Sequence, residues 1–369
     1  MIPAVDEHSL KGSLRDLIRT LAAIPGLAGH EQEIGSEVRR RLRDLVDEVS
    51  VDRLGNVYGI RRGRGQGPTL MLAAHTDEIG FMVRSVDANG FLRFEKVGRP
   101  AEQALLGQRV LIEGRCLGVI GVRPGHLSGE AERRLPPVAD MYIDVGAVSA
   151  ADVAAMGIRV GSPVTFAGEV TATVNPDRLV GRALDNRLGV AVMLLSLASL
   201  TGPPPGDVVA VATVQEELGL RGAAVAAFRT RPDYALALDT VPVGDTPDVD
   251  LTRELRLSLG RGPAAILASS REHVGMMTHP AVRRHLLTAA GRAGVSVQEV
   301  IVLGQLNTDA TAITLSREGI PAGTVSLPRR YAHTPVEMCD LNDAVGAIRL
   351  TTQFMTDMAE HSLDFFEDR

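Results

Sequence analysis

Continuous apolar runs and helical periodicity alternate along much of this chain. Leu10, Leu14 and Leu17 recur at helical spacing, which predicts an amphipathic first helix that ends at the Pro25-Gly26 turn. A second helix is predicted over 30–46, followed by strands on either side of a Gly55-Asn56 turn. Residues 68–75, PTLMLAAH, are continuously apolar, as expected for a strand buried in a mostly parallel sheet.

The pattern of apolar and polar residues changes twice further along the chain. From about 80 to 172, short alternating runs separated by glycine turns predict a β-rich insert. Beyond 182, predicted helices (185–200, 220–229, 280–293, 310–318, 341–360) alternate with predicted strands (207–214, 234–240, 296–303, 320–327). We therefore expect an α/β fold: a three-layer α/β/α domain formed by 1–79 and 173–369, interrupted by a β-rich domain at 80–172.

Composition excludes several classes of function. The 369 residues are 45% hydrophobic, enough for a large core, and the net charge of −6 without a basic block argues against nucleic-acid binding. The longest apolar stretch, 189–200, is too short to span a bilayer, and no secretory signal is visible. Cys116 and Cys339 are isolated, so we expect a cytoplasmic protein that does not bind membranes.

Ionisable residues stand at the carboxyl ends of predicted strands, where open α/β sheets place their sites. They are His75 with Asp77, Asp185, the pair Glu216 and Glu217, Asp239, and His333. Each one alone is more often a core or capping residue than a ligand. Together they require a cation, because several carboxylates cannot be buried side by side without one.

The types of side chain indicate which cation. Two imidazoles with three or four carboxylates suit zinc, cobalt or manganese better than calcium or magnesium. The odd number of carboxylates, with one histidine for each ion, also suits a two-metal site in which one carboxylate bridges the ions. Glu216 and Glu217 can share that site only if the preceding strand ends near Gln215, since neighbours on a strand point to opposite faces.

Five motifs in order, AAHTDEIGFMV, GRALDNRLG, VQEELGLRGA, LALDT and RRYAHTPVEM, closely resemble metallopeptidase family 42, the tetrahedral, glutamyl and deblocking aminopeptidases. The likeness extends to DRLGNVYG at 52–59, GHLSGEAERR at 125–134 and the segment at 141–166. The resemblance implies a metal-dependent aminopeptidase that acts on peptides with a free N-terminus. It also implies that the insert is a PDZ-like dimerisation domain and that dimers can assemble into a tetrahedral dodecamer.

The resemblance also assigns roles to residues. His75, Asp185 and Asp239 would hold one divalent ion, and Asp185, Glu217 and His333 the other, which makes Asp185 the bridge. Glu216 would be the general base, and Asp77 would orient His75.

Two departures from the family pattern are visible. Asn186 follows Asp185 where a second aspartate is common, and GQLNTDA at 304–310 is poorer in glycine than its counterpart. Asp309 in that segment is a candidate substrate-binding residue, with a helix N-cap as the alternative.

Other functions remain open. A di-metal deacylase or carboxypeptidase of related fold would use a similar ligand set, but its insert would be α/β and would follow the glutamate pair. A scaffold that has lost activity would keep the fold without the chemistry. A glycosidase is disfavoured, because metal ligation would occupy one of the glutamates and the chain has only 3% aromatic residues.

Overall fold

The computed structural model describes residues 7–127 and 134–366. Part of the GHLSGEAERR segment, 128–133, and the two ends of the predicted catalytic domain, 1–6 and 367–369, lie outside this range. The helices are α1 Glu7–Ala23, α2 Gln32–Leu42, α3 Ala150–Ala155, α4 Leu184–Ala198, α5 Arg221–Thr230, α6 Pro280–Ala293, α7 Asp309–Thr314 and α8 Leu341–Thr356.

The strands of the first half are β1 Glu48–Val51, β2 Val57–Arg61, β3 Leu70–His75, β4 Gly80–Val86, β5 Leu92–Val97, β6 Arg109–Ile112, β7 Cys116–Ile120, β8 Ile143–Asp144 and β9 Pro163–Phe166. Those of the second half are β10 Thr171–Ala172, β11 Arg178–Gly181, β12 Val208–Thr213, β13 Tyr234–Pro242, β14 Ala264–Arg271, β15 Val274–Met277, β16 Gln298–Val302, β17 Ala322–Arg330 and β18 Glu337–Asp340.

One large sheet forms the centre of the molecule. Its strands run in the order β1-β2-β12-β3-β13-β17-β18-β11-β10, and β14 to β16 attach beside β17. The four central strands, β12, β3, β13 and β17, are parallel, so their carboxyl ends meet at one edge. That edge carries the predicted site.

Helices cover both faces of this sheet, as the alternation along β3 shows. Leu70, Leu72 and Ala74 pack with residues of α1, α4, α6 and α8, whereas Met71 and Ala73 pack with residues of α5 and α7. A strand sends successive side chains to opposite faces, so a continuously apolar strand needs a helical layer on each side. The predicted three-layer α/β fold is confirmed.

Six strands from the first half form a separate closed barrel, in the order β4-β5-β8-β7-β6-β9. Phe81, Phe94 and Phe166 fill its interior with edge-to-face contacts, at centroid distances of 4.9 Å from Phe81 to Phe94 and 5.4 Å from Phe81 to Phe166. The barrel begins directly after the HTDEI segment. Thr171 and Ala172, which the sequence placed at the end of the insert, pair with β11 of the large sheet.

Several boundaries differ from the predicted ones. Helix α2 covers 32–42 instead of 30–46, α7 ends at Thr314, and α8 ends at Thr356. The strands β11, β14, β15 and β18 were not predicted. Three of them have only four residues, and AAILASSR in β14 lacks a clear alternation of apolar and polar positions. None of the helices in the described residues combines the length and apolar character that crossing a membrane requires.

A buried ionic cluster ties the segment after β3 to the start of α4. Glu78 contacts Arg182 and lies 3.6 Å from Arg187 Nη2, and all three side chains are almost fully buried. Arg187 also donates to the main-chain oxygens of Thr76 (2.5 Å) and Ile24 (3.1 Å). The cluster therefore fixes the two chain segments that carry His75 and Asp185.

Replacing Glu78 by glutamine tests the role of this cluster. Glu78→Gln keeps the shape of the side chain but leaves two buried guanidinium groups without their carboxylate. We expect the free energy of unfolding to fall by about 3–5 kcal/mol, measured by urea denaturation followed by circular dichroism. The control is Glu95→Gln, which breaks an exposed pair with Arg84 and should change stability by less than about 1 kcal/mol. Equal stability of the two variants would contradict the assignment.

Candidate metal centre

The predicted residues converge at the carboxyl edge of the parallel strands. His75 ends β3 and is paired in register with Thr213, the last residue of β12, while Asp239 lies in the neighbouring strand β13. Asp185 is the second residue of α4, and His333 follows β17. Parallel strands bring these chain-distant residues together because each crossover returns the chain to the same edge.

His75, Asp185 and Asp239 form the first group of side chains. His75 Nε2 lies 3.2 Å from Asp185 Oδ1 and 3.5 Å from Asp239 Oδ1, and all three residues are buried. One ligand atom from each lies within 4.8 Å of the others. We call these three residues the first ligand group.

Asp185, Glu217 and His333 form the second ligand group, by the same distance criterion. His333 Nε2 lies 3.3 Å from Asp185 Oδ2 and 3.4 Å from Glu217 Oε1. Asp185 therefore turns one carboxylate oxygen to each group. The geometry brings together the same two sets that the sequence predicted, with Asp185 shared between them.

Both histidines present the same nitrogen to the carboxylates. His75 Nδ1 lies 3.2 Å from the main-chain oxygen of Asp77, and His333 Nδ1 lies 3.0 Å from that of Arg99. A proton on each Nδ1 satisfies these carbonyls and leaves the Nε2 lone pairs directed at the carboxylate oxygens. That tautomer is the one a divalent cation between the groups requires, so the residues present fit a pair of such ions.

Local backbone conformations aim the side chains. Ala183, Gln215 and His333 adopt left-handed conformations, with φ of 53°, 55° and 60°. Non-glycine residues rarely adopt these angles, and such outliers cluster at functional sites. Strand β12 ends at Thr213, close to the end near Gln215 that the sequence required, and the turn at Gln215 lets Glu216 and Glu217 lie on one side.

Asp77 holds the loop that carries the glutamate pair. Its Oδ1 accepts the N–H of Glu216 (2.9 Å), and its Oδ2 accepts the N–H of Glu217 (3.0 Å). Its Oδ1 also lies 3.5 Å from His75 Nδ1. The sequence predicted contact with His75 alone. The two backbone contacts depend on tertiary structure and had no signal in the sequence.

The pKa values of the Asp185 and Glu216 carboxyl groups are shifted in opposite directions. Burial alone would raise the pKa of the Asp185 carboxyl, but Arg329, His333 and His75 hold that pKa well below its usual range. The pKa of Glu216 is raised well above normal, by loss of bulk water first and then by Glu217 and Asp239, against the opposing effect of His75. Glu216 belongs to neither ligand group and borders the cavity in front of them.

That cavity has a volume of about 520 Å³. Asp309, predicted as a substrate-binding residue, does not line it. Its buried side chain accepts a hydrogen bond from Thr213 Oγ1 (2.5 Å), while Thr308 occupies the N-cap position of α7. The cavity wall at this point is formed by Gln305, Leu306 and Asn307.

Asn186, the departure beside the bridge, has a clear structural role. Its side-chain nitrogen donates to the main-chain oxygen of Leu238 (2.8 Å), and its side-chain oxygen accepts the N–H of Gly189 (2.9 Å). An amide supplies both the donor and the acceptor needed here, whereas an ionised aspartate would face the Leu238 carbonyl without a proton.

Two residues near the ligands were missed by the sequence analysis. Arg329 is buried in β17 and contacts Asp185, and Glu337 accepts the backbone N–H groups of Asp185 and His333, both at 3.0 Å. Both lie inside the RRYAHTPVEM motif. Arg329 lies two residues beyond the predicted strand 320–327, and Glu337 begins a strand that was not predicted, so their place in the motif was the available signal.

Comparison with known proteins gives consistent matches. A family model described as M42 glutamyl aminopeptidase matches residues 55–350. The lysyl aminopeptidase of Pyrococcus furiosus is 32% identical, over 93% of this chain and 97% of that protein. An aminopeptidase from the archaeon Desulfurococcus kamchatkensis is 37% identical, with a TM-score of 0.89, over 95% of this chain and 96% of that one.

A third match concerns assembly. A Pyrococcus horikoshii TET1 peptidase, described as able to form a tetrahedron or a large octahedral shell, is 29% identical to this chain. Its structure superposes with a TM-score of 0.80 over 93% of this chain and 99% of that one.

Metal removal should destabilise the protein, because the carboxylates of the two ligand groups then repel each other at close range. We expect zinc or cobalt, added to chelator-treated protein, to raise the melting temperature. At a metal concentration one hundred times Kd the gain corresponds to about 2.7 kcal/mol per site. Asp239→Asn, which removes one ligand charge, should show a smaller rise in melting temperature when metal is added. A melting temperature independent of metal in both proteins would contradict the assignment.

Proposed function

This chain belongs to the M42 glutamyl aminopeptidase family and is a metal-dependent aminopeptidase, and from that premise we propose how its own residues divide the reaction. The observation that carries the proposal is the arrangement of the two ligand groups, which share Asp185 and leave Glu216 unengaged beside them.

The two ligand groups would hold two divalent ions, zinc, cobalt or manganese, which when bound acidify a shared water and stabilise negative charge on the substrate carbonyl oxygen. The mixed nitrogen and oxygen ligands support this choice of metals. His75 and His333 contribute their Nε2 atoms, held in orientation by the carbonyls that contact Nδ1.

Glu216 is the general base in this proposal. Its carboxylate borders the cavity, is not needed as a ligand, and is held by the Asp77 contact to its backbone N–H. A carboxylate in this position can accept a proton from the attacking water and return it to the leaving amine. Glu217, one residue on, is turned toward His333 and serves as a ligand instead.

The position of the barrel favours an aminopeptidase over the related deacylase or carboxypeptidase. The barrel strands begin at Gly80, directly after the first ligand, and α5 follows the glutamate pair without an inserted domain. An early β-rich insert is the arrangement expected of the aminopeptidases, whereas the deacylases and carboxypeptidases would have an α/β insert after the glutamate pair.

We also propose that the chain forms a homo-oligomer, with the barrel as the dimerisation domain and a dodecamer as the larger assembly. The ability of the Pyrococcus horikoshii TET1 peptidase to form closed shells supports this. Leu117 and Val119 of β7, which are 54% and 40% exposed, give the barrel an apolar surface for such a contact. Free Cys116 and Cys339 support a reducing, cytoplasmic location.

The cavity favours an acidic first residue in the substrate. The cations along its wall are mostly paired: Lys96 with Glu102, Arg99 with Glu272, and Arg329 with Asp185. Arg271, at the end of β14, makes no ion pair with any described residue, and its buried Nε has no hydrogen-bond partner. An unpaired guanidinium in a cavity wall is suited to the side-chain carboxylate of glutamate or aspartate.

Separate substitutions of the two glutamates test the division of roles. Glu216→Gln should lower kcat for aminoacyl nitroanilides by about 10²–10⁴-fold while retaining two metal equivalents, measured by elemental analysis. Glu217→Gln should instead lose metal. If Glu216→Gln were as active as the wild type, the base would be wrongly assigned. A wild type that hydrolyses no aminoacyl substrate would favour the scaffold alternative.

Arg271→Gln tests the acidic preference. The wild type should hydrolyse glutamyl-nitroanilide with a higher kcat/KM than the lysyl or leucyl compounds. The variant should lose about 10–100-fold on the glutamyl substrate, the value of a charged hydrogen bond, with leucyl hydrolysis unchanged. Arg84→Gln, on the barrel surface, is the matched control. Lysyl preference in the wild type would contradict the proposal.

A further inference from the structure

Arg329 lies next to the ligand groups and makes three polar contacts there. It is 4% exposed near the end of β17. Its Nε donates to Thr240 Oγ1 (2.7 Å), its Nη2 donates to Asp185 Oδ2 (2.6 Å), and its Nη1 donates to Glu337. All three sides of the guanidinium are thus engaged, so its position is fixed.

These contacts hold both carboxylate oxygens and the backbone N–H of Asp185. The Thr240 hydroxyl, which accepts from Arg329, donates to Asp185 Oδ1 (3.0 Å). Glu337, the other partner of Arg329, accepts the N–H of Asp185 and also that of His333. Arg329 and Glu337 therefore join the carboxylate shared by both ligand groups to the histidine of the second group.

The charge of Arg329 acts on the two groups unequally. It contacts Asp185 Oδ2, the oxygen that faces Glu217 and His333, whereas Oδ1 faces His75 and Asp239. Within the described residues, no lysine or arginine forms an ion pair with Asp239. The guanidinium therefore acts more strongly on Glu217 of the second group than on Asp239 of the first. A cation held by the second group would have this fixed positive charge directly beside it, and a cation held by the first group would feel it less.

A structural purpose alone does not explain this arrangement. A buried ion pair is usually no more stabilising than apolar side chains of similar size, because both charges lose their hydration. The pair also places a cation where it competes for an oxygen that a metal needs. The consequence of the pair is therefore expected in metal binding.

We propose that Arg329 is a positioning residue that makes the two metal affinities unequal. By holding Asp185 it keeps one carboxylate oxygen for each group, and by its charge it makes the second ligand group the weaker and more readily emptied site. The inference rests on the proposed two-metal centre and adds a property specific to this chain's residues.

Calorimetric titration of metal-free protein with zinc tests this inference. The wild type should bind two ions, the second at least about tenfold more weakly than the first. We call the ratio of the two dissociation constants the affinity gap. Arg329→Met should narrow this gap by about tenfold or more, because a unit charge at such short range strongly opposes a divalent ion. Arg329→Lys keeps the charge without the planar fork, so it should keep the gap while kcat falls.

Two further variants complete the design. Arg330→Met removes the neighbouring arginine, which pairs with Asp245 away from the ligands, and should leave both affinities unchanged. If Arg329→Met does not fold because Glu337 is left unpaired, the double variant Arg329→Met with Glu337→Gln removes that unpaired charge and should show the same narrowed gap.

The outcomes separate this inference from the proposed function. Two bound ions with equal affinities in the wild type, or a gap unchanged in the methionine variants, would overturn the role of Arg329 and leave the two-metal centre intact. Failure of the wild type to bind zinc would overturn both.

Discussion

The mutual repulsion of carboxylates gathered at one edge of the sheet is the constraint on which the rest of this structure depends. Asp77, Asp185, Asp239, Glu216 and Glu217 all converge there, mostly buried. Such a group is too costly to keep ionised in a protein interior unless positive charge lies between its members. Arg329 supplies part of that charge, and the two ligand groups are arranged to bind the remainder.

The surrounding fold holds this unfavourable arrangement in place. Parallel pairing brings the strand ends to one edge, and the buried contacts of Glu78 with Arg182 and Arg187 fix the loops that follow. Asp77 then anchors the glutamate pair through two backbone N–H groups. Each of these contacts lies beyond the ligands themselves, so the rigidity of the site is a property of the whole domain.

The sequence predicted what is encoded locally. Long apolar runs located β3, β12 and β13, and ionisable residues near the ends of predicted elements gave the candidate ligands. Their division into two groups was implied by the resemblance to metallopeptidase family 42. Contacts across the fold could not be predicted: the Asp77 hydrogen bonds and the Arg329–Glu337 pair join residues far apart in the chain or depend on the orientation of a strand. Asp309 shows the same limit. Its segment, which is similar to one in family 42, suggested either the substrate pocket or a helix N-cap, whereas the structure buries its side chain against Thr213 and puts Thr308 at the N-cap.

The central claim is that one carboxylate, Asp185, is shared by two metal ions. An anomalous difference map from zinc-soaked crystals tests it most directly. We expect two peaks in each subunit, one between His75 and Asp239 and one between Glu217 and His333, with Asp185 in contact with both. A single peak, or two peaks of which only one touches Asp185, would contradict the account.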